Sequence, residues 1–189
     1  MAKSDIIQSV RRNRPAFCSA QPEYPPNLPK AEPLPDTERK ALFIRMLQSA
    51  GGEALELAGN EVDAYLAEHF PIWNGETQRS LSAATPKSEL EQTEVAVFEG
   101  RVAVAENAAV WIDDRDLPNR LLPFVVQHLI LIVREDRLVD DMLEGYRRIN
   151  LNETGFGVFI SGPSKTADIE QSLVYGAHGA VQCTVIIVH

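Results

Sequence analysis

Cysteine is scarce in this 189-residue sequence: Cys18 and Cys183 are the only two, and they lie near opposite ends of the chain. They form no CxxC pair, so the chain has neither a disulfide framework nor the ligands for an iron–sulfur cluster. No apolar run reaches the roughly 18–20 residues of a membrane-spanning helix. No apolar core follows the basic residues near the N-terminus, so a secretory signal is not expected. These absences predict a cytoplasmic protein that binds no cofactor of its own.

Positive charge is also scarce, since 18 lysines and arginines stand against 27 aspartates and glutamates and the net charge is −9. Binding to nucleic acid or to an anionic membrane surface needs a basic patch, so neither is expected. The four histidines stand far apart without HxH or HExxH spacing, so no metal site is predicted. The GxGxxG, P-loop and GxSxG patterns are all missing, which excludes a dinucleotide fingerprint, a P-loop and a nucleophile elbow.

Proline divides the chain into two parts. Seven of the twelve prolines fall within residues 15–35, where they remove backbone donors and prevent helix formation. Residues 1–35 are therefore predicted to form a short N-terminal helix and a proline-rich arm, and residues 36–189 a single domain. Two interpretations of the arm stay open: a spacer attached to its own domain, or an arm that grips a second subunit and makes a homo-oligomer.

Hydrophobic periodicity predicts alternating helices and strands in residues 36–189. Helices are expected at about 37–50, 61–70, 88–92 and 136–149, the last capped by Asp136. Strands are expected at 54–57, 72–73, 95–98, 128–133, 156–160 and 181–188, and residues 102–112 form either a hairpin or one bent strand with a bulge. The run 128–133 is apolar on both faces, as in the middle of a parallel sheet, and 156–160 is also expected to be buried. The predicted fold is α/β, one domain with a mixed sheet and helices on both faces.

A sharp turn and a group of polar residues follow the strand at 156–160. Gly162 and Pro163 make the turn, and residues 164–170 are predicted to form a short helix. Ser164 or Thr166 can cap this helix with its hydroxyl group. The free backbone N–H groups at the start of the helix, with Lys165 nearby, suit an anion. The alternative is that the hydroxyl group only caps the helix and binds nothing.

Two carboxylates and a histidine complete this candidate site. Asp168 and Glu170 follow the turn on the same short element and either orient a ligand or only complement the helix dipole. His178, flanked by Gly176 and Gly179, is a candidate general acid or base because imidazole titrates near neutrality. The other interpretation of His178 is a loop histidine whose ring is satisfied by backbone groups.

Glu106 stands in the break between two predicted strands. It is a candidate carboxylate for the same cleft, or else a solvated turn residue. His128, at the start of a buried strand, is interpreted as structural, and His69 as a residue on a helix surface.

The C-terminal motif resembles the signature of a known family. Residues 160–170 read Ile-Ser-Gly-Pro-Ser-Lys-Thr-Ala-Asp-Ile-Glu, residues 176–179 read Gly-Ala-His-Gly, and a last apolar strand follows. This order resembles the C-terminal end of the lactate-utilisation C-protein family, the LUD domain, which commonly reads SGPS-(basic or small)-TADIE and then GVHGP. Upstream, residues 95–112 resemble the family's paired strands, and Leu122-Pro123 with residues 128–133 resembles its "LP…H" strand.

The resemblance implies a Rossmann-like α/β domain similar to the NagB/RpiA/CoA-transferase fold. It also implies a role in bacterial oxidation of L-lactate to pyruvate beside partners, one of which carries iron–sulfur clusters. The sequence departs from the family pattern in two places. Residues 107–109 read Asn-Ala-Ala where the family often has Thr-Gly-Thr, and Ala180 replaces the last proline of GVHGP.

Two functional hypotheses follow from the residues and the resemblance. In the first, the chain is an accessory or ligand-binding component of a lactate-oxidising system. A small carboxylate or a phosphate-bearing ligand would then be held by six residues of one cleft: Glu106, Ser164, Lys165, Thr166, Asp168 and His178. In the second hypothesis, the chain is a stand-alone isomerase or acyl-CoA-transferase-like enzyme with Glu106 as base or nucleophile.

Overall fold

The computed structural model describes Ser9 and residues 32–150, 154–169, 172–176 and 179–189, and for residues 166–169 and 172–175 it describes the backbone alone. The predicted N-terminal helix and proline-rich arm, residues 1–35, lie almost entirely outside these residues. The chain divides into two units, Met1–Pro33 and Leu34–His189. The architecture below is that of the second unit.

The described part of the second unit contains six α-helices, two short 3-10 helices and ten strands. The α-helices are α1 (Asp36–Ser49), α2 (Val62–His69), α3 (Gly75–Ser80), α4 (Lys87–Leu90), α5 (Leu122–Val125) and α6 (Met142–Arg148). The 3-10 helices are Gly59–Glu61 and Glu135–Arg137. The strands are β1 (Glu53–Leu57), β2 (Val95–Gly100), β3 (Val102–Val104), β4 (Ala109–Asp113), β5 (His128–Arg134), β6 (Leu138–Val139), β7 (Gly157–Ile160), β8 (Lys165–Ile169), β9 (Ser172–Tyr175) and β10 (Gln182–Val188). This content confirms the predicted α/β class.

Four parallel strands form the first sheet, in the order β1-β10-β5-β2. Strand β5 lies inside this sheet, which explains why its sequence is apolar on both faces. On one face, Leu129 and Leu131 pack in the same cluster as Phe43 of α1. On the other face, Ile130 packs with Leu66 of α2. Helices therefore cover both faces of the parallel sheet.

The second sheet contains β6, β3, β4 and β7 in that order. Strands β3 and β4 pair antiparallel, with Val104 opposite Ala109, so residues 102–112 form a hairpin and the bent-strand interpretation is wrong. The two sheets pack closely against each other: a Cβ atom on Gly100 of β2 would lie 2.4 Å from Val110 Cγ1. The strands that the sequence predicted for one mixed sheet are thus distributed over two packed sheets.

Three local predictions are wrong for identifiable reasons. The helix expected at 136–149 is divided, because Leu138 and Val139 pair with β3 and the helix begins only at Met142, with Asp141 as its N-cap. Residues 72–73 form no strand, because Ile72 ends a turn that begins at Pro71 and Trp73 belongs to no regular element. Strand β7 is half-buried instead of buried, because it pairs with β4 at the end of the second sheet.

A glutamine side chain closes part of the β2 edge of the parallel sheet. Helix α3, which the sequence did not predict, begins where Asn74 Oδ1 accepts hydrogen bonds from the N–H groups of Glu76 and Thr77. The helix carries Gln78, whose Nε2 donates to the Val97 carbonyl oxygen at 2.7 Å. Its Oε1 accepts from the Val97 N–H at 3.0 Å. The amide of Gln78 thus makes the two hydrogen bonds that a neighbouring strand would make.

A buried carboxylate ends strand β4. Asp113 is fully buried and accepts hydrogen bonds from Arg115 Nη2 at 2.6 Å, from Arg115 Nε at 2.9 Å and from Trp111 Nε1 at 3.2 Å. The side chain of Arg115 is the largest cause that lowers the pKa of Asp113 from 3.8 to about 2. Asp113 is therefore charged in the folded protein at neutral pH, and its charge is compensated inside the structure.

Candidate functional site

The turn after β7 is held by contacts with the end of α1 and with the β3–β4 turn. Gly162 adopts a left-handed backbone with φ +72°, and a Cβ atom there would lie 3.1 Å from the Cβ of Ala50, just after α1. Ser161 Oγ donates a 2.5 Å hydrogen bond to the Asn107 carbonyl oxygen in the β3–β4 turn. Gly162 and Pro163 are buried. The turn therefore lies where the sequence predicts it and contacts the backbone of Asn107, the residue after Glu106.

A hairpin follows this turn, and the helix predicted for residues 164–170 is wrong. Strands β8 and β9 pair antiparallel, with Lys165 opposite Tyr175 and Thr166 opposite Val174. Hydroxyl and β-branched residues are common in strands, and capping residues are also turn residues, so this short segment fits either structure locally. The cross-strand pairing decides the outcome. The proposed anion site at a helix N-terminus therefore loses its helix.

Lys165 lies near the C-terminal end of helix α1. Its side chain is exposed, and its Nζ donates to the carbonyl oxygen of Ser49, the last residue of α1, at 3.4 Å. Helix C-termini carry partial negative charge, so the ammonium group is favourably placed there. This contact is one reason for the position of Lys165 that involves no ligand.

The glycine pair around His178 packs tightly against the turn. Ser164 donates its N–H to the Ala180 carbonyl oxygen at 2.9 Å, and Gly176 donates its N–H to the Ser164 carbonyl oxygen at 3.0 Å. Gly176 has φ +81°, and a Cβ atom there would lie 2.5 Å from Val181 Cγ2. A Cβ atom on Gly179 would lie 3.1 Å from the Ser164 Cβ. The two ends of the signature thus form one packed unit.

An open cleft of about 380 Å³ lies beside this unit. Its wall includes Gly176, Gly179 and Val181. Helices α4 and α5 and the residues directly after them form the rest: Lys87, Glu91, Phe124, Val125, Val126 and Gln127. The cleft is at the amino edge of the parallel sheet, because β10 begins at Gln182 and β5 at His128.

Glu106 acts as a local cap in the structure. Its side chain is exposed, and Oε1 accepts a 3.0 Å hydrogen bond from the N–H of Met142, the first residue of α6. Its own N–H donates to the Asp140 carbonyl oxygen at 3.1 Å. The β3–β4 turn reaches the signature turn through Asn107, while the Glu106 carboxylate binds the helix.

The remaining predicted site residues are described only in part. Thr166 and Asp168 belong to β8, where the backbone alone is described. Glu170 and His178 lie outside the described residues, so their assigned roles stay predictions.

Two groups near the amino edge, the buried Cys183 and the half-buried His128, have shifted pKa values. Burial raises the pKa of the Cys183 thiol to about 12, against a smaller opposing effect of the Gly162 N–H. Burial also lowers the pKa of His128, whose Nε2 lies 2.8 Å from Thr184 Oγ1. The His128 ring packs edge-on against Phe70, with ring centroids 4.9 Å apart. These contacts agree with the structural role predicted for His128.

Sequence reasoning missed a larger cavity at the other end of the parallel sheet. This carboxyl-edge cavity, of about 670 Å³, is lined by Asp36, Arg39, Gly59, Arg134, Glu135, Asp136, Leu138, Arg148, Val188 and His189. These residues are spread over the chain without a local motif. The available signal was the charged sequence Arg-Glu-Asp-Arg directly after the buried run 128–133.

Two features are absent from the part of the chain that the structure describes. Among them, no three or more histidine, cysteine, aspartate or glutamate side chains are grouped so that they could hold a metal ion. No helix in the described part of the chain is long and apolar enough to cross a membrane.

Known proteins are similar to this sequence over more than half of its length. The sequence model of the LUD domain matches residues 59–188. A Deinococcus radiodurans protein named "Lactate utilization protein C" is 25% identical, over 99% of this chain and 95% of that protein. Proteins of the same name from Geobacillus thermodenitrificans and Shouchella clausii are 32% and 33% identical, over 62% of this chain and 49% and 51% of theirs. The chain thus matches about half the length of these two relatives.

A solved structure shares the fold. The crystal structure of a DUF162 family protein from Deinococcus radiodurans superposes with a TM-score of 0.62 at 20% identity and covers 83% of this chain and 100% of that one. Its similarity supports the α/β architecture. Because the LUD domain model spans more than half of the sequence, the chain belongs to the LUD domain family.

Proposed function

We propose that this protein is a cytoplasmic accessory component of bacterial L-lactate utilisation, acting beside an iron–sulfur partner that carries the electrons from lactate to an acceptor. Membership of the LUD domain family carries this proposal, because relatives of the chain are named for lactate utilisation. The two cysteines of this sequence are too few for an iron–sulfur cluster of the usual four-cysteine kind, which supports placing the cluster on a partner. The specific resemblance to the NagB/RpiA/CoA-transferase fold stays a prediction.

We assign partner docking to strands β8 and β9 and to the Gly162 turn that precedes them. Among the described strands, β8 and β9 pair only with each other, so the hairpin stands apart from both sheets. Its base is fixed by the Gly162 turn and by the two main-chain hydrogen bonds of Ser164. A rigid base with an exposed Lys165 suits electrostatic recognition of an acidic patch on a partner.

The position of Glu106 favours the accessory role over the enzymatic alternative. An isomerase or acyl-CoA-transferase-like enzyme would use Glu106 as base or nucleophile, aimed into a cavity with the Ser164 turn. The Glu106 carboxylate is instead exposed and accepts the Met142 N–H at 3.0 Å. The ligand-binding roles assigned to Ser164, Lys165, Thr166, Asp168 and His178 stay predictions.

Anaerobic affinity purification from the native cell tests the accessory role. The tagged protein is expected to bring down an iron–sulfur protein, detected by its visible absorbance and its iron content. Lys165→Glu should lower the recovery of that partner about tenfold, because a favourable rim contact becomes a repulsive one. Arg79→Glu makes the same charge change on exposed α3 and should leave recovery unchanged.

Two results would contradict the proposal. Purification of the wild-type protein without any iron–sulfur protein, under anaerobic reducing conditions, would remove the accessory role. Equal recovery with Lys165→Glu and Arg79→Glu would leave the accessory role intact and refute the assignment of the hairpin.

A further inference from the structure

The carboxyl-edge cavity lies where parallel α/β sheets bind their ligands. Strands β1, β10 and β5 run in the same direction and end there, at Leu57, Val188 and Arg134. Ligands of open α/β sheets bind outside the carboxyl ends of the strands. The volume of about 670 Å³ lies within the usual range for small-molecule sites. The family signature, by contrast, lies at the amino edge.

Three guanidinium groups from three different elements line this cavity: Arg39 of α1, Arg134 at the end of β5 and Arg148 of α6. Each is held in position by protein oxygens. The Nε of Arg39 donates to Asp140 Oδ1 at 2.5 Å, and its Nη2 donates to the Leu34 carbonyl oxygen at 2.7 Å. Arg39 is also the least exposed of the three, with 17% of its side chain accessible. Its position is therefore fixed before any ligand arrives.

The other two arginines are both tied to Asp136. Arg134 forms a two-pronged contact with its carboxylate, Nη2–Oδ2 at 2.8 Å and Nε–Oδ1 at 3.1 Å. Arg148 Nη1 donates to the Asp136 carbonyl oxygen at 3.2 Å. Since a guanidinium carries five N–H groups in a planar fork, donors remain for an anion after these contacts. The three arginines thus place oriented N–H donors around the carboxyl-edge cavity.

Carboxylates share the same walls and limit the kind of ligand. Asp36, Glu135 and Asp136 line the cavity beside the three arginines, so the formal charges of the lining side chains balance. A ligand with several anionic groups would meet repulsion from three carboxylates, and an apolar ligand would meet only Leu138 and Val188 as large apolar side chains. Carboxylates accept hydrogen bonds from hydroxyl groups. The walls thus fit a molecule that has one anionic group and several hydroxyl groups.

We propose that the carboxyl-edge cavity binds a small hydroxylated anion, in which one carboxylate or phosphate group meets the arginines and the hydroxyl groups meet the carboxylates. This binding site is independent of partner docking through the hairpin, because the two surfaces lie at opposite edges of the parallel sheet. It can be tested with the purified chain alone, so its failure and the failure of the docking proposal are separable.

Four probes separate the chemical requirements in isothermal titration calorimetry. Gluconate and glycerol 3-phosphate carry an anionic group with hydroxyl groups, adipate carries carboxylates without hydroxyl groups, and mannitol carries hydroxyl groups without charge. At least one of the first two is expected to bind about tenfold or more tightly than adipate and mannitol, since each lost charged hydrogen bond costs about that factor. The stronger of gluconate and glycerol 3-phosphate identifies the anionic group.

A matched pair of arginine variants locates the binding. Arg134→Gln should weaken binding of the preferred probe about tenfold, while Arg120→Gln removes an equally exposed arginine outside the cavity, 58% against 61% accessible, and should change nothing. Thermal unfolding confirms that both variants are folded. No saturable binding of gluconate or glycerol 3-phosphate, stronger binding of adipate or mannitol, or equal affinity in the two variants would each overturn the proposal.

Discussion

Replacing Ala108 with glycine tests whether the β3–β4 turn is strained where it meets the signature. Ala108 has φ +55°, the only positive φ of a non-glycine residue among those described. The LUD resemblance puts it where the family often has the glycine of Ala-Glu-Thr-Gly-Thr. An L-residue in the left-handed region costs roughly 1–2 kcal/mol. The alanine is fully buried in the main core cluster, so its methyl group recovers part of this cost.

The expected effect of Ala108→Gly on the free energy of unfolding is close to zero. Relief of the backbone strain contributes roughly 1–2 kcal/mol. Loss of one buried methyl group costs about 0.8 kcal/mol, and the greater freedom of glycine in the unfolded chain costs about 0.4–1 kcal/mol. Ala109→Gly is the matched control, because Ala109 is also buried (4% exposed) but belongs to strand β4. It loses the same two contributions without any relief, so it should destabilise by about 1–2 kcal/mol.

Urea denaturation at pH 7 measures both variants against the wild type. The quantity of interest is the difference between the two substitutions, expected at roughly 1–2 kcal/mol in favour of Ala108→Gly. Equal destabilisation by the two variants would refute the assignment of strain to Ala108. A large destabilisation by Ala108→Gly alone would show that the buried methyl group matters more than the backbone conformation.

Three further predictions concern buried and constrained groups. The lowered pKa of Asp113 contributes stability above pH 3.8 that is lost as the pH falls toward 2. The shift from 3.8 to about 2 corresponds to about 2 kcal/mol. Asp113→Asn should remove this part of the pH dependence of stability in urea titrations, and an unchanged pH dependence would count against the prediction. Gly176→Ala should lower the free energy of unfolding by about 1–3 kcal/mol because of φ +81° and the contact with Val181, and a neutral result in the same assay would contradict the described turn. Burial raises the pKa of Cys183 to about 12. Its thiol should therefore react with iodoacetamide at pH 8 about a thousandfold more slowly in the folded than in the unfolded protein. Peptide mass spectrometry measures this labelling rate, and rapid labelling of the folded protein would contradict the burial of Cys183.

The sequence predicts the parallel sheet because its strands carry a strong local signal. Residues 128–133 and 182–188 are almost continuously apolar, and such runs suit strands with helices on both faces. Residues 138–139 and 164–170 were assigned incorrectly because the strands that pair with them lie outside each segment. Leu138 pairs with Ala103 and Lys165 with Tyr175, and no pattern within either segment reveals a partner.

The candidate sites, like the fold, were predictable from the sequence only in part. The signature turn is visible in sequence because Gly162 and Pro163 are adjacent and the resemblance extends over neighbouring residues. The carboxyl-edge cavity is invisible, since Arg39, Arg134 and Arg148 come from separate elements that meet only after the sheet is formed. Residues that meet only in the folded structure have no characteristic spacing in the sequence, so no motif identifies them.

The side-chain amide of Gln78 has a consequence for how the protein associates with other chains. Exposed edges of sheets recruit further strands, which leads to uncontrolled polymerisation as well as to productive complexes. At the centre of β2, any incoming strand would first have to displace the two hydrogen bonds between Gln78 and Val97. The protein is therefore protected against sheet extension at the centre of β2.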